Sequence, residues 1–331
     1  MSGLYPLKFY PIYKERIWGG KKFVDVLGRN DVPEGMVACG ESWELSGLQG
    51  DLSVVSNGPL QGNNIEELIE IYMDELVGAK VYEKFGVEFP LLFKFLDTTD
   101  RLSIQVHPDD AVAKDRHHAW GKSELWYVVD AEDNAELIVG FNQNVSKEMY
   151  LECLANKNFP LILNSERARK DDVYYIPAGR LHAILEGFLI AEIQQVSDIT
   201  YRIYDWDRVG DDGAGRELHT DLALDVLEYT VPDNGAYKTP YSLSETGVAH
   251  LQETPFFTIN RIDLAQGDSL MRDSYSQDSF MVYMCLDGSV DIECGESRVT
   301  CCKGETVLVP ASITDYSISS IENAKLLEVY L

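Results

Sequence analysis

Hydrophobic positions along this chain follow two rhythms. Residues 63 to 85, NNIEELIEIYMDELVGAKVYEKF, hold apolar side chains at helical spacing behind an asparagine able to cap, which predicts one helix over that stretch. A second, shorter helix is expected to begin at Ser146. Much of the rest is short β-branched or aromatic runs interrupted by Gly, Pro, Asn and Asp. Such punctuation belongs to antiparallel sandwiches and barrels rather than to alternating βαβ units, so the expected fold class is mainly β with a few helices.

Two strand-like runs collect polar side chains on one face. In RLSIQVHPDD, alternation sends Leu102, Ile104 and Val106 one way and Ser103, Gln105 and His107 the other. In GKSELWYVV, Lys122, Glu124 and Trp126 share a face opposite Leu125, Tyr127 and Val129. A carboxylate on so apolar a strand needs a cation or hydrogen-bond donors, because burying it alone is costly. A metal ion would satisfy Glu124, and His182, just past a Pro-Ala-Gly turn, could complete a set. Gln105, His107, Glu124 and His182 would offer two imidazoles, a carboxylate and an amide oxygen, a shell that suits zinc and would accept other first-row divalent ions. Spacing alone leaves a second reading open, in which these are hydrogen-bonded structural residues.

The run DDVYYIPAGRLHAI, 171 to 184, lines up with GETVLVPASITDYSI, 304 to 318, each an apolar strand ending in Pro-Ala. Two related β-units are expected, unless two strands share a common turn by chance. His182 lies five residues past its proline, and Asp315 takes that place in the second copy. Only the first copy is therefore equipped for metal chemistry. The polar, turn-rich stretch from about 231 to 250 is the expected linker, dividing a catalytic unit, 1 to 235, from a C-terminal unit, 236 to 331.

Composition narrows the function. With 55 acidic against 28 basic side chains, the formal net charge of -27 disfavours nucleic acid and anionic membrane surfaces. Any local convergence of lysines and arginines then points to a small anionic ligand. The N-terminal stretch holds no apolar run of signal-peptide length and nowhere do eighteen uncharged apolar residues follow one another, so a cytoplasmic location is expected. The 6 cysteines lack the paired short spacings of thiolate zinc sites, and most of them read as small core residues. No glycine-rich phosphate loop is present. His117, His118, His219 and His250 fall in polar or turn-rich segments and enter no candidate site, and Trp18 and Trp43 read as packing residues near a barrel mouth. Glu192 and Gln194 share a strand face, where they would orient substrate hydroxyls or simply line a solvated mouth. By composition alone Arg202 reads as an ion-pair partner of Asp205 or Asp207, and Lys122 as an exposed strand lysine.

The blocks QVHPDD, GKSELWYVV, PAGRLHAI and EIQQVSDITYRIYDWDR, in that order, resemble the signatures of the type I mannose-6-phosphate isomerases, as do YKERIWGG, GESWELS and LLFKFLD before them. The likeness is strong over roughly residues 5 to 210 and weak beyond, and the length resembles that of the short bacterial form. It implies cupin barrels (double-stranded β-helix, or jelly roll), a catalytic one followed by a degenerate cupin-like unit without metal ligands. It implies one Zn2+ per chain on Gln105, His107, Glu124 and His182, with Lys122 and Arg202 catalytic and Lys94, Ser103 and Glu192 binding substrate. The implied reaction interconverts mannose 6-phosphate and fructose 6-phosphate through a cis-enediol. Arg202 would face the developing oxyanion or the phosphate, and Lys122 the phosphate or a proton transfer. The implied partner is a hexose phosphate, on a monomer or homodimer. Rival readings are another cupin phosphosugar isomerase or epimerase, and a catalytically silent sugar-binding cupin.

Overall fold

The computed structural model describes residues 3–209 and 213–331, so the expected catalytic unit includes positions 1, 2 and 210 to 212, which lie outside the described residues. In chain order the first strands are β1 (Leu7–Lys8), β2 (Ile12–Gly20), β3 (Cys39–Ser46), β4 (Leu91–Thr98), β5 (Ile104–Val106), β6 (Glu124–Ala131), β7 (Glu136–Phe141), β8 (Leu163–Arg167), β9 (Val173–Ile176), β10 (His182–Ile184), β11 (Phe188–Gln195) and β12 (Tyr201–Tyr204). The later ones are β13 (Val248–Glu253), β14 (Thr258–Leu264), β15 (Ser269–Asp273), β16 (Met281–Asp287), β17 (Ser289–Cys294), β18 (Ser297–Cys302), β19 (Thr306–Val309), β20 (Asp315–Ser320) and β21 (Ala324–Tyr330).

These strands make two sandwiches of one topology. The first pairs a sheet β2-β3-β4-β11-β6-β9 with a sheet β12-β5-β10-β7-β8. In the second, β13-β14-β21-β16-β19 repeats β3-β4-β11-β6-β9, and β15-β20-β17-β18 repeats β5-β10-β7-β8. Both are jelly rolls of cupin type, and the Pro-Ala repeat falls at the same place in each, between β9 and β10 and between β19 and β20. The chain also crosses between them, since β1 pairs with β19.

Alternation along the strands decides where each core sits. Leu125, Tyr127 and Val129 of β6 join Val282 and Met284 of β16 in one shared core between the sandwiches, while Trp126 and Val128 point into the first sandwich. The interior of the second is filled by Tyr283, Cys285, Val290, Ile292, Tyr316 and their neighbours. Among the described residues no helix is long and apolar enough to cross a membrane.

The stretch predicted as one helix is three: α2 (Ile65–Tyr72), α3 (Asp74–Val77) and α4 (Ala79–Phe85), after a short α1 (Lys22–Asp25). Asn64 caps α2 as expected, in a reciprocal pair with Glu67. The periodicity then fails because Met73 takes φ 46° and Gly78 φ 94°, neither of them helical. Any Cβ on Gly78 would lie 2.1 Å from the Asp278 carbonyl oxygen, so this break is where the helices meet the second sandwich. Further on come α5 (Asp110–His117) and α6 (Lys147–Ala155), the latter capped by Ser146 as predicted, and α7 (Thr220–Ala223). The turn-rich segment before β13 is docked onto the first sandwich, where the Tyr237 hydroxyl donates to the Phe141 carbonyl at 2.9 Å. His250, expected in a turn, lies in β13 because regular pairing begins at Val248.

Candidate active site

Three strands of the first sandwich bring the polar stripes together. Gln105 of β5 lies directly opposite His182 of β10, His107 follows the end of β5, and Glu124 opens β6. His107, Glu124 and His182 are all buried, and one ligating atom from each lies within 4.8 Å of the others. The His107 and His182 Nδ1 atoms sit 2.8 Å from the carbonyl oxygens of Ile199 and Arg180. A carbonyl can only accept, so both imidazoles carry their proton on Nδ1 and turn a lone pair on Nε2 inward. His107 Nε2 lies 3.6 Å from Glu124 Oε2, and His182 Nε2 lies 3.4 Å from Glu124 Oε1.

Glu124 Oε1 and His182 Nε2 are buried without a hydrogen-bond partner, while Glu124 Oε2 has the Lys122 ammonium beside it. Lone pairs converging in this way need a cation. Two neutral imidazoles, a carboxylate and the nearby Gln105 amide are a chemically sound donor set for a first-row divalent ion. Burial pushes the His107 pKa well below the ordinary histidine value and that of His182 to about 4, which keeps both rings neutral, as ligands must be. Burial also lifts the Glu124 carboxyl to about 7, and the Glu192 charge adds to it. Lys122 Nζ lies 2.9 Å from Glu124 Oε2 and 3.2 Å from His107 Nε2. Burial opposes its charge, but Glu124 and Glu192 carry its pKa above the ordinary lysine value.

Above this group opens a cleft of about 530 Å³. Lys94, Ser103, Lys122, Glu192 and Arg202 all line it, as does Gln105 of the predicted ligand group. Lys94 Nζ donates to Gln194 Oε1 at 2.7 Å and lies 3.2 Å from Glu192 Oε1, while Trp126 Nε1 donates to Glu192 Oε2 at 2.9 Å. Leu102 lies in the cleft wall beside Ser103 instead of on the face of Ile104 and Val106, because regular pairing begins only at Ile104.

Arg202 is not the partner of Asp205. That buried carboxylate is held by Arg216, whose Nε and Nη2 donate to it at 2.7 and 2.5 Å. Among the described residues no carboxylate lies within ion-pair distance of Arg202; its Nε is buried without a hydrogen-bond partner and Nη1 donates to the Glu217 carbonyl at 3.0 Å. Burial and the neighbouring Arg216 charge lower its pKa, the mark of a guanidinium short of counter-charge. With Arg16, Lys94, Lys122 and Arg216 also lining the cleft, a chain of net charge -27 concentrates cations at one place.

Sequence reasoning missed part of the cleft. Trp18 and Trp43, read as packing residues, are cleft walls, and Glu41, which accepts from Trp43 Nε1 at 2.6 Å and Arg16 Nε at 2.7 Å, went unnoticed. Alternation along CGESWELS would have put Glu41 and Trp43 on one face. Arg216 and His219 also line the cleft, the latter overlooked because its segment reads as a turn. Folding of that segment back onto β12 leaves no periodic trace.

Comparison with known proteins follows the same lines. The family model for the phosphomannose isomerase type I catalytic domain matches residues 7–143, and that for the mannose-6-phosphate isomerase cupin domain matches 248–331. The chain is 32% identical to the putative mannose-6-phosphate isomerase YvyI of Bacillus subtilis, over 95% of each sequence. It is 33% identical to the mannose-6-phosphate isomerase of Streptococcus mutans over 94% of each. Among solved structures, the mannose 6-phosphate isomerase of Bacillus subtilis superposes with a TM-score of 0.86 at 31% identity, covering 99% of this chain and 100% of that one.

Proposed function

The chain belongs to the type I mannose-6-phosphate isomerase family and is an isomerase by that membership, and on this premise we propose that it interconverts mannose 6-phosphate and fructose 6-phosphate using one zinc ion. The observation that carries the reading is the convergence of Glu124 Oε1 and His182 Nε2, both buried without a hydrogen-bond partner, with His107 beneath a cleft rich in cations. Gln105, His107, Glu124 and His182 are the proposed ligands. Bound there, the ion would supply Lewis-acid polarisation of the substrate oxygens on the reacting carbons.

The remaining roles follow from what each side chain touches. An aldose to ketose shift through a cis-enediol moves a proton between adjacent carbons, and needs a group at the ligand end of the cleft to carry it. Lys122, 2.9 Å from Glu124, has that position, and a dication taking over Glu124 would remove the counter-charge that otherwise holds its proton. Arg202, with no carboxylate within ion-pair distance among the described residues, suits the phosphate, since a dianion supplies counter-charge and a guanidinium can grip it at two points. Ser103, Lys94 and Glu192 are assigned to the sugar hydroxyls, with Glu192 kept ionised against its burial by Lys94 and Lys122. The same proposal sets the division near residue 235, with 236 to 331 carrying no metal, and describes a cytoplasmic monomer or homodimer.

A coupled assay with mannose 6-phosphate tests it. Activity should vanish on chelation and return with zinc. Metal binding without formation of fructose 6-phosphate would leave the fold and overturn the substrate.

A further inference from the structure

Arg202 sits on β12, the edge strand of its sheet, and turns both its backbone polar groups outward. An edge strand ordinarily leaves such groups to water, and the residue between them is free to shift. Here His219 answers both. Its backbone N–H donates to the Arg202 carbonyl at 2.7 Å, and its Nδ1 lies 3.2 Å from the Arg202 backbone nitrogen. Because a backbone N–H can only donate, Nδ1 must be the acceptor, which fixes the imidazole as the Nε2–H tautomer. Two residues earlier, the Glu217 carbonyl accepts from Arg202 Nη1 at 3.0 Å. Backbone and guanidinium of Arg202 are thus pinned by one short segment, and the Tyr201 ring, 6.3 Å from the imidazole centroid, packs beside it.

We infer that His219 is the positioning residue of Arg202, an imidazole standing in for the missing neighbour strand so that the guanidinium is held toward the cleft. The inference rests on the assignment of Arg202 to the substrate's phosphate. His219 also lines the cleft, so a rival role exists as a hydrogen-bond donor to substrate through Nε2. The two roles use opposite nitrogens, and amide substitutions separate them. Asparagine presents Oδ1 near the place of Nδ1 and can still accept from the Arg202 N–H, whereas glutamine reaches toward the place of Nε2.

The experiment compares the metal-loaded parent with His219→Ala, His219→Asn, His219→Gln and Arg202→Met, measuring kcat, KM for mannose 6-phosphate, inhibition by inorganic phosphate, and Tm. Loss of one partly buried hydrogen bond predicts a KM about tenfold higher in the Ala and Gln variants, with phosphate inhibition weakened in parallel and kcat within about threefold of the parent. His219→Asn should return KM to within about twofold. Rescue by Gln and not Asn would overturn the proposal in favour of substrate contact, and losses that track Tm alike in all three His219 variants would reduce His219 to a structural residue. A parent-like His219→Ala beside a weakened Arg202→Met would overturn the positioning role alone. Unchanged KM and phosphate inhibition in Arg202→Met would overturn the phosphate assignment and the proposal with it.

Discussion

Glu192 and Glu328 occupy the same place in two barrels of the same topology, yet the first lines a cation-rich cleft and the second is enclosed by Tyr283, Asn260 and Arg272. Glu192 is paired across its strands with Trp126 and Lys94, and Glu328 with Tyr283 and Asn260. The same positions serve them: Trp126 and Lys94 contact Glu192, while the Tyr283 hydroxyl donates to Glu328 Oε1 at 2.9 Å and Asn260 Nδ2 to Oε2 at 2.9 Å. One row away the barrels part. Glu124 pairs with Ile176 at the end of β9, and Met281 pairs with Val309 at the end of β19, so a methionine stands where the first barrel has its carboxylate. His182 and Gln105, opposite each other, are replaced by Asp315 and Asp273. In the second barrel both Glu328 oxygens accept a hydrogen bond and Arg272 lies 2.8 Å away, whereas Glu124 has Lys122 2.9 Å from Oε2 but only the His182 Nε2 lone pair, at 3.4 Å, facing Oε1. A shared fold supports a buried carboxylate in either setting, and the one that imidazole lone pairs face marks the chemistry.

The largest expected effect comes from erasing that contrast in the first barrel. Glu124→Gln should remove the metal and lower kcat/KM about a thousandfold, while Met281→Leu at the matching position leaves both unchanged; assay and metal analysis read it directly. Lys122→Met should cut kcat about a hundredfold with the metal still bound, and near-normal turnover would remove its role in proton transfer. In the second barrel the loss should appear in stability alone. Glu328→Leu strands Arg272, Tyr283 and Asn260, and should cost about 3 kcal/mol in denaturant unfolding at parental kcat. The smallest effect concerns how the barrels are joined. Asp278 accepts from the Ala79 and Lys80 backbone N–H groups at 2.8 and 3.2 Å, capping α4 from the other unit. Asp278→Ala should therefore lower stability by about 1 kcal/mol, and an unchanged midpoint would mean that this cap adds nothing to the joint between the barrels.

Much of this was legible in the sequence, for identifiable reasons. Strict alternation around Gln105 and Glu124 fixes which side chains share the barrel interior, and the Pro-Ala turns mark the repeat at the same joint of each barrel. The three-way break of the first long helix was not legible, because Met73 and Gly78 bend the chain to suit a contact with Asp278 about two hundred residues away. The same holds for Arg216 and His219. Their segment carries no rhythm of its own, and its value lies in Asp205 and the Arg202 backbone, contacts that exist only once β12 is a sheet edge. Neighbouring side chains on one strand announce a site, whereas loops that lean on it do not.

The central claim is that a single metal centre exists and belongs to the first barrel. Elemental analysis of the purified protein, beside Glu124→Gln and Glu328→Leu, tests it most directly. The account predicts one zinc per chain in the parent and in Glu328→Leu, and almost none in Glu124→Gln. Zinc retained by Glu124→Gln, or lost with Glu328, would contradict it.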